Sequence, residues 1–137
     1  MYYSFQDERN LYFVLDYLNG GNLHTHIQQG KLKKGTIIRY TAQIVLALEG
    51  LHNLGIVHRD LKPDNIVIDG SGNAVLVDFG WSMKVDGSAG ATSGIRDPGG
   101  CCTLGYMPPE EVQKAETKEG RDLDTGKAVD WWALGTI

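Results

Sequence analysis

A dense polar cluster follows an apolar run near the middle of the chain. The stretch from His58 to Asn65, HRDLKPDN, holds two acids, two strong cations and an amide directly after Gly55-Ile56-Val57. A protein interior rarely holds so many polar groups unless they bind a ligand or take part in a reaction. Thirteen residues after Asn65, a second polar group, Asp78-Phe79-Gly80, ends another apolar run. The two stretches predict a functional site, which the other elements must position.

Composition restricts the classes of protein that can carry this site. The 137 residues are 42% hydrophobic and 22% charged, which is typical of one soluble globular domain. The net charge of −4 argues against a nucleic-acid partner bound through a broad basic face. No apolar run reaches the ~18 residues of a membrane span. The first residues lack a secretory pattern, and adjacent Cys101 and Cys102 cannot staple distant segments. An intracellular location, cytoplasmic or nuclear, is therefore predicted.

Hydrophobic spacing and turn residues predict the elements around the two polar stretches. Strand, helix and turn signals follow one another from the first residue to the second polar stretch. The predicted elements are two short strands within 1–18, a short helix from Asn22 to near Gly30, a helix from Thr36 to Asn53 with an apolar stripe of Ile37, Thr41, Ile44, Leu48 and Leu51, and a hairpin of Ile66–Ile68 with Val75–Val77. The first strand of the hairpin follows Asn65, and the second strand ends directly before Asp78. The hairpin is therefore expected to bring Asn65 and Asp78 together.

The last third of the chain carries weaker signals. Residues 81–105 have little periodicity and many glycines, which indicates a long flexible segment. Residues 111–125 are polar and charged, and we predict an exposed loop there. A strongly apolar helix begins at Lys127.

Two histidines on the predicted short helix could suggest a metal site. His24 and His26 are two residues apart, so on a helix their side chains point to different faces and could not share one ion well. The sequence therefore predicts exposed histidines with no metal-binding role.

The chain resembles the eukaryotic protein kinases in its motifs and in the order in which they occur. The resemblance is carried by HRDLKPDN, by Asp78-Phe79-Gly80, by TLGYMPPE at 103–110 and by KAVDWWALG at 127–135. Lys62 and Thr103 match serine/threonine rather than tyrosine kinases, and the longer motifs look most like the group of cyclic-nucleotide-dependent and C-type kinases. The resemblance implies an α+β, protein-kinase-like fold that is incomplete, mainly the helical C-terminal lobe with hinge strands. It divides the chain into hinge strands (1–18), scaffold helices and catalytic loop (19–77), metal loop and activation segment (78–110), and a loop with the start of a buried helix (111–137).

The resemblance also implies the chemistry of the polar stretches. Asp60 would orient the substrate hydroxyl and accept its proton, and Lys62 would neutralise charge on the transferring phosphate of ATP. Asn65 and Asp78 would hold Mg²⁺, because amide and carboxylate oxygens suit this hard cation. The implied partner is a protein substrate with a serine or threonine hydroxyl, and the sequence indicates no oligomeric state.

Other roles follow from the resemblance alone. The hinge stretch, by itself, is compatible with any strand–turn–helix junction, but its distance to HRDLKPDN favours the hinge. The implied adenine and ribose contacts are the backbone of Asp16 and Leu18, Leu15 at the back of the pocket, Asn22 at the ribose, and Leu23 with Val67 as the floor. The implied structural and regulatory residues are His58, Phe79 and Gly80 aligning the loops, Arg59 binding a phosphorylated side chain, Thr103 in the substrate loop, Glu110 pairing with an arginine, and Asp130 bracing the catalytic loop.

The chain departs from the family in several places. No G-x-G-x-x-G loop precedes a strand lysine in these 137 residues, so we expect little or no transferase activity from this chain alone. Gly99 stands where related kinases often carry a phosphorylated threonine, Cys102 replaces a glycine, and Pro108 replaces an alanine. The alternative phosphorylation sites by composition are Ser88, Thr92 and Ser93.

Three interpretations stay open at this point. The chain is part of an active serine/threonine kinase, a truncated and inactive relative that acts as an interaction module, or an unrelated nucleotide-binding or structural domain. Single triplets such as HRD arise by chance. The hinge stretch, the scaffold helix and the four motifs named above occur in the family's order, which favours the first two interpretations. Exposed apolar side chains at Trp131, Trp132 and Leu134 are expected to destabilise the chain alone.

Overall fold

The computed structural model describes residues 1–30, 32–85, 103–117 and 126–137. Small two-stranded sheets and four helices follow one another along these residues, in agreement with the predicted α+β class. The elements are β1 (Tyr3–Gln6), β2 (Leu11–Val14), α1 (Leu23–Gln28), α2 (Lys34–Asn53), β3 (Ile56–Val57), β4 (Ile66–Ile68), β5 (Ala74–Leu76), β6 (Met83–Lys84), α3 (Pro109–Thr117) and α4 (Ala128–Thr136), with 3₁₀ turns at Pro63–Asn65 and Leu104–Tyr106.

Strands β1 and β2 form an antiparallel hairpin that is exposed on both faces. Asp7 shapes its turn, because its Oδ1 accepts the backbone N–H groups of Arg9 and Asn10, both at 2.7 Å. The Tyr12 hydroxyl donates to the other carboxylate oxygen at 2.8 Å, and the Tyr12 ring stacks on Phe5 across the strands. Local turn chemistry and one aromatic pair therefore specify this hairpin.

Helix α2 begins two residues before the predicted start and ends at Asn53 as predicted. Its buried row is Tyr40, Ile44, Leu48 and His52. Ile37 and Thr41, which were predicted in the apolar stripe, are exposed. The prediction was wrong there because the residues that cover α2, on β4, β5 and α4, lie over the row at four-residue spacing.

Strands β4 and β5 form the second hairpin, with Ile66 opposite Leu76. Strand β5 ends one residue before the prediction. The Val77 N–H still donates to the Asn65 carbonyl at 3.0 Å, in register with the pair of Ile66 and Leu76. Gln43 of α2 holds the turn: its Nε2 donates to Asn73 Oδ1 and its Oε1 accepts from the Ala74 N–H, both at 2.9 Å. The hairpin is thus fixed to the scaffold helix.

The predicted loop at 111–125 is helical as far as Thr117, in helix α3. The sequence carried the signals for this start, since Pro109 occupies the first turn together with the acidic Glu110 and Glu111. Residues 118–125 lie outside the described residues. The loop prediction for 111–117 was wrong because a helix with these start signals can be polar along its exposed face.

Helix α4 packs its buried face, Val129, Asp130 and Ala133, against the rest of the fold. Trp131 and Trp132 are exposed as predicted, but Leu134 packs against the main core. That core joins α1, α2, β4, β5 and α4, and it lies directly beneath the HRDLKPDN stretch. Among the described helices, none combines the length and apolar character needed to cross a bilayer.

Candidate active site

The backbone of the HRDLKPDN stretch is strained, and α4 holds it in place. Arg59 has φ of +70°, a left-handed conformation that is uncommon for a long side chain. The Asp130 carboxylate accepts the N–H of His58 at 2.9 Å and the N–H of Arg59 at 2.9 Å. A strained backbone persists only where its surroundings over-determine it. Asp130 is thus in the bracing position that the resemblance implies.

His52 of α2 completes this anchor and was not predicted from the sequence. Its Nε2 lies 2.8 Å from Asp130 Oδ2, the oxygen that also accepts the His58 N–H. The His52 ring packs edge-on against Trp131. The available signal was a histidine on the buried row of an apolar helix, since a buried polar side chain requires a partner.

Asp60 lies at the centre of a hydrogen-bond network. Lys62 Nζ donates to Asp60 Oδ2 at 2.7 Å and to Thr103 Oγ1 at 3.0 Å. Thr103 Oγ1 donates to Asp60 Oδ1 at 3.2 Å. Asn65 Nδ2 donates to the Asp60 carbonyl at 2.8 Å and to its Oδ2 at 3.0 Å. The structure thus brings together four of the residues named from the sequence.

His58 joins this network to the loop at Asp78. It is fully buried; its Nε2–H donates to the Val77 carbonyl at 3.1 Å, and its Nδ1 accepts the Asp60 N–H at 3.3 Å. These two partners assign the ring tautomer. The half-exposed Phe79 ring tilts against the His58 ring at 5.2 Å. Both residues therefore contact the two loops that they were predicted to align.

Asn65 and Asp78 offer oxygen atoms of the kind that a magnesium ion binds. Because Asn65 Nδ2 is committed to Asp60, its amide oxygen points away from that residue. Asp78 is exposed with φ of +61°, and its Oδ1 accepts the Gly80 N–H at 3.2 Å. Within the described residues no group of three or more His, Cys, Asp or Glu side chains could hold a metal. One carboxylate and one amide are nevertheless enough for Mg²⁺, which keeps waters and substrate oxygens as its other ligands.

The hinge residues lie on the surface of the described chain. Leu15 is 61% exposed, so the described residues do not enclose the pocket that was predicted in front of it. Asp16 is exposed, and Leu18 is half-buried. The Tyr2 hydroxyl donates to Asp16 Oδ1 at 2.6 Å, and this bond, together with the carboxylate charge, raises the pKa of Tyr2. The Asp16 side chain is thus used in the hairpin, which leaves its backbone for a ligand.

The predicted floor residues come from two elements that pair with each other. Asn22 and Val67 form an antiparallel bridge, and Leu23 is buried in the core beside them. Asn22 also caps α1, since its Oδ1 accepts the Thr25 N–H at 3.0 Å. The predicted ribose contact of Asn22 would therefore use its amide nitrogen.

The two glutamates at the start of α3 differ in burial. Glu110, which was expected to pair with an arginine, is exposed, whereas Glu111 is 6% exposed. Glu111 lines a small cavity beside the HRDLKPDN stretch, together with Arg59, Asp60 and Thr103. Gly99, Cys102 and the alternative phosphorylation sites Ser88, Thr92 and Ser93 lie outside the described residues.

Comparison with known proteins agrees with this geometry. The family profile described as "Protein kinase domain" matches residues 1–137. This chain belongs to the protein kinase family. The incomplete α+β kinase fold is thereby confirmed. The likeness to the cyclic-nucleotide-dependent group is confirmed by the relatives described next.

Several named kinases are similar over the whole chain. It is 41% identical over 138 residues to the cAMP-dependent protein kinase catalytic subunit of Dictyostelium discoideum. It is also 41% identical over 138 residues to the human ribosomal protein S6 kinase alpha-4. The alignments cover 100% of this chain, which spans 19% and 16% of those two relatives. A further relative is the serine/threonine-protein kinase mrck-1 of Caenorhabditis elegans, which is 40% identical over an alignment of 144 positions. That alignment covers 98% of this chain and 8% of the relative.

Proposed function

We propose that this chain forms the catalytic-loop part of a kinase that transfers phosphate from ATP to serine and threonine hydroxyls of proteins. The observation that supports this proposal best is the network around Asp60, which brings a carboxylate, a cation and a hydroxyl within 3.2 Å of one another. Phosphoryl transfer depends on positioning and on charge stabilisation, and these three groups supply both.

The acceptor sites of Asp60 suggest how it takes part. A carboxylate has two oxygens, each with two lone-pair sites. Among the described residues, Oδ2 accepts from Lys62 and Asn65, which occupy both of its sites, whereas Oδ1 accepts from Thr103 alone. The remaining site on Oδ1 is the position where a substrate hydroxyl would donate, so we assign the orientation of that hydroxyl and acceptance of its proton to Oδ1.

Lys62 and Thr103 hold this carboxylate and face the incoming phosphate. The Lys62 ammonium bonds both Asp60 and Thr103, so its charge is fixed at the site where negative charge is transferred. Asn65 and Asp78 would hold Mg²⁺, which supplies charge neutralisation on the ATP phosphates when bound. The backbone of Asp16 and Leu18 would bind the adenine edge, with Asn22 at the ribose and Leu23 and Val67 below the ring.

A chimera tests this proposal. Residues 1–137 replace the aligned segment of the Dictyostelium cAMP-dependent kinase catalytic subunit, which supplies the rest of a kinase domain. We expect the chimera to phosphorylate a basic serine peptide with Mg·ATP, and Asp60→Asn to lower kcat about 10²–10⁴-fold. Glu49→Gln, an exposed charge change on α2, is the control and should retain the activity. The 137-residue chain alone is expected to show little transfer.

The outcomes separate the alternatives. A folded chimera without activity, beside an active parent kinase, would contradict the proposal and favour an inactive relative. Equal rates for the chimera and its Asp60→Asn variant would remove Asp60 from the reaction. Mass-spectrometric mapping of the phosphorylated peptide identifies the accepting hydroxyl.

A further inference from the structure

The two histidines of α1 differ sharply in their surroundings. His24 is 44% exposed; it accepts from the Gln28 side chain at 2.8 Å and lies 4.0 Å from Asp64. His26 instead turns back to the segment before the helix, where its Nε2 lies 2.7 Å from the Gly20 carbonyl oxygen in a part-buried contact. A carbonyl oxygen only accepts, so His26 Nε2 carries the hydrogen and donates.

Gly20 is held from the opposite side by β4. Its N–H donates to the Ile68 carbonyl at 2.9 Å, and the Ile68 N–H donates to the Gly21 carbonyl at 2.8 Å. The approach is so close that a Cβ atom on Gly20 would stand 2.5 Å from the Ile68 oxygen. The single Gly20 residue therefore joins β4 through its N–H and α1 through its carbonyl.

Residues 19–22 form the linker that leads into α1, and these contacts fix it to β4. This linker lies between the two ends of the proposed nucleotide site. Leu18 precedes Gly20 on the adenine side, and Asn22 follows it on the ribose side. The same linker pairs with β4 at Val67, one of the two proposed floor residues. A shift of Gly20 away from β4 would therefore displace the hinge backbone and the floor relative to each other.

Helix α1 does not need the His26 contact for its own start. Its first turn is already capped by Asn22, whose Oδ1 accepts from both the N–H and the hydroxyl of Thr25. The bond from His26 skips this cap and reaches two residues further back, to Gly20. It therefore restrains the linker rather than the helix.

We propose that His26 is a positioning residue for nucleotide binding: it holds the linker at Gly20 against β4 and so fixes the hinge backbone above the floor of the site. The inference rests on the proposed kinase function. It requires one donor at the position of Nε2, which a glutamine side chain also supplies and a leucine does not.

The first test is amide hydrogen exchange in the 137-residue chain without nucleotide. His26→Leu should raise the exchange rates of the Gly20 and Ile68 N–H groups by about five- to tenfold, the loss expected for one hydrogen bond. His26→Gln should restore them, and His24→Leu, on the same helix, should leave them unchanged. Unchanged exchange in His26→Leu would overturn the inference.

The second test is kinetic and uses the chimera. His26→Leu should raise the KM for ATP by about three- to tenfold with kcat within about twofold, because uniform binding is lost and the chemistry is not. His26→Gln should lie near the parent value. Faster exchange with an unchanged KM, or with kcat lowered alone, would make the contact merely structural and overturn the inference. Inactivity of the unsubstituted chimera would instead contradict the kinase function, while the exchange arm still decides whether His26 holds the linker.

Discussion

The two hairpins use the same turn chemistry and have opposite surroundings. Asp7 in the β1–β2 turn and Asp69 in the β4–β5 turn each accept backbone N–H groups from residues that follow them. These bonds hold the pKa of both carboxyl groups below its ordinary value; the Arg9 N–H is the main cause for Asp7, and the Asn73 N–H for Asp69. Yet β1 and β2 are exposed throughout, whereas Ile66 and Ile68 of β4 are buried.

The comparison shows that the contacts that form a hairpin differ from the contacts that fix its position in the fold. A capped turn and cross-strand pairs specify both hairpins locally. Among the described residues, only the second hairpin is hydrogen-bonded to a helix, through Gln43, and to the HRDLKPDN stretch, through the hydrogen bond from Val77 to Asn65. The second hairpin therefore orients the candidate site, and the first leads into the predicted hinge residues.

The largest difference between the hairpins is expected in the free energy of unfolding when one side chain of each is truncated. Ile66 is fully buried in the main core, so Ile66→Ala should lower the free energy of unfolding by about 2–5 kcal/mol. Phe5→Ala removes an exposed ring stacked on Tyr12 and should cost less than about 1 kcal/mol. Urea unfolding followed by tryptophan fluorescence measures both, and equal losses would contradict the comparison.

Removal of the link to α2 should have a smaller effect. Gln43→Ala leaves the Ala74 N–H without its partner, which should cost about 1–3 kcal/mol. Gln28→Ala, which loses an exposed contact with His24, is the matched control and should change stability little. Exchange at the Ala74 amide should rise in Gln43→Ala alone; a rise in both variants would indicate general loosening.

Low pH should protonate the aspartates of both turns, but it should open only the first hairpin. Because the folded-state pKa values of Asp7 and Asp69 lie below the unfolded ones, their stabilisation is complete above the unfolded pKa of about 4. It is lost as the pH falls through the folded-state values. Amide exchange at pH 2 to 5 should show β1–β2 opening, with β4–β5 retained by its buried side chains. Asp7→Asn should weaken the acid response of the first hairpin only.

The smallest effect is expected at Tyr2. Its pKa is raised, first by the hydrogen bond to Asp16 and then by the Asp16 charge. The contact is therefore intact below the ordinary tyrosine pKa of about 10 and is lost as the pH rises through the raised value. Tyrosinate absorbance should lose a step above pH 10 in Tyr2→Phe and keep that step in Tyr3→Phe. An identical titration in the two variants would exclude the contact.

Local signals were enough to predict the elements whose causes are local. The Asp-Gly-Ser-Gly-Asn turn, the N-cap at Asn22 and the end of α2 at Asn53 needed no information from elsewhere in the chain. The HRDLKPDN stretch was found because its polar residues are adjacent. The family resemblance then supplied role assignments that no spacing rule contains.

Burial was predicted less well because it depends on distant partners. The buried row of α2 includes His52, whose partner Asp130 is 78 residues away. Glu111 is buried where residues of α4 and of the HRDLKPDN stretch line the same small cavity. The exposure of Leu15 was not predicted, because the sequence of a strand does not show which residues cover it. Each of these facts belongs to the packing of two segments, and neither segment encodes it alone.

The anchoring of Arg59 by Asp130 sets an order for biogenesis. The two hydrogen bonds join residues 72 and 71 positions apart, so they form only after nearly all of this chain has been synthesised. Contacts of such long range are slow to close, and a chain emerges from the ribosome with its N-terminal residues first. Helix α2 and both hairpins can therefore fold while the peptide at Arg59 still samples ordinary backbone angles. We therefore expect the backbone at Arg59 to reach the shape described above only when α4, which carries Asp130, has been synthesised.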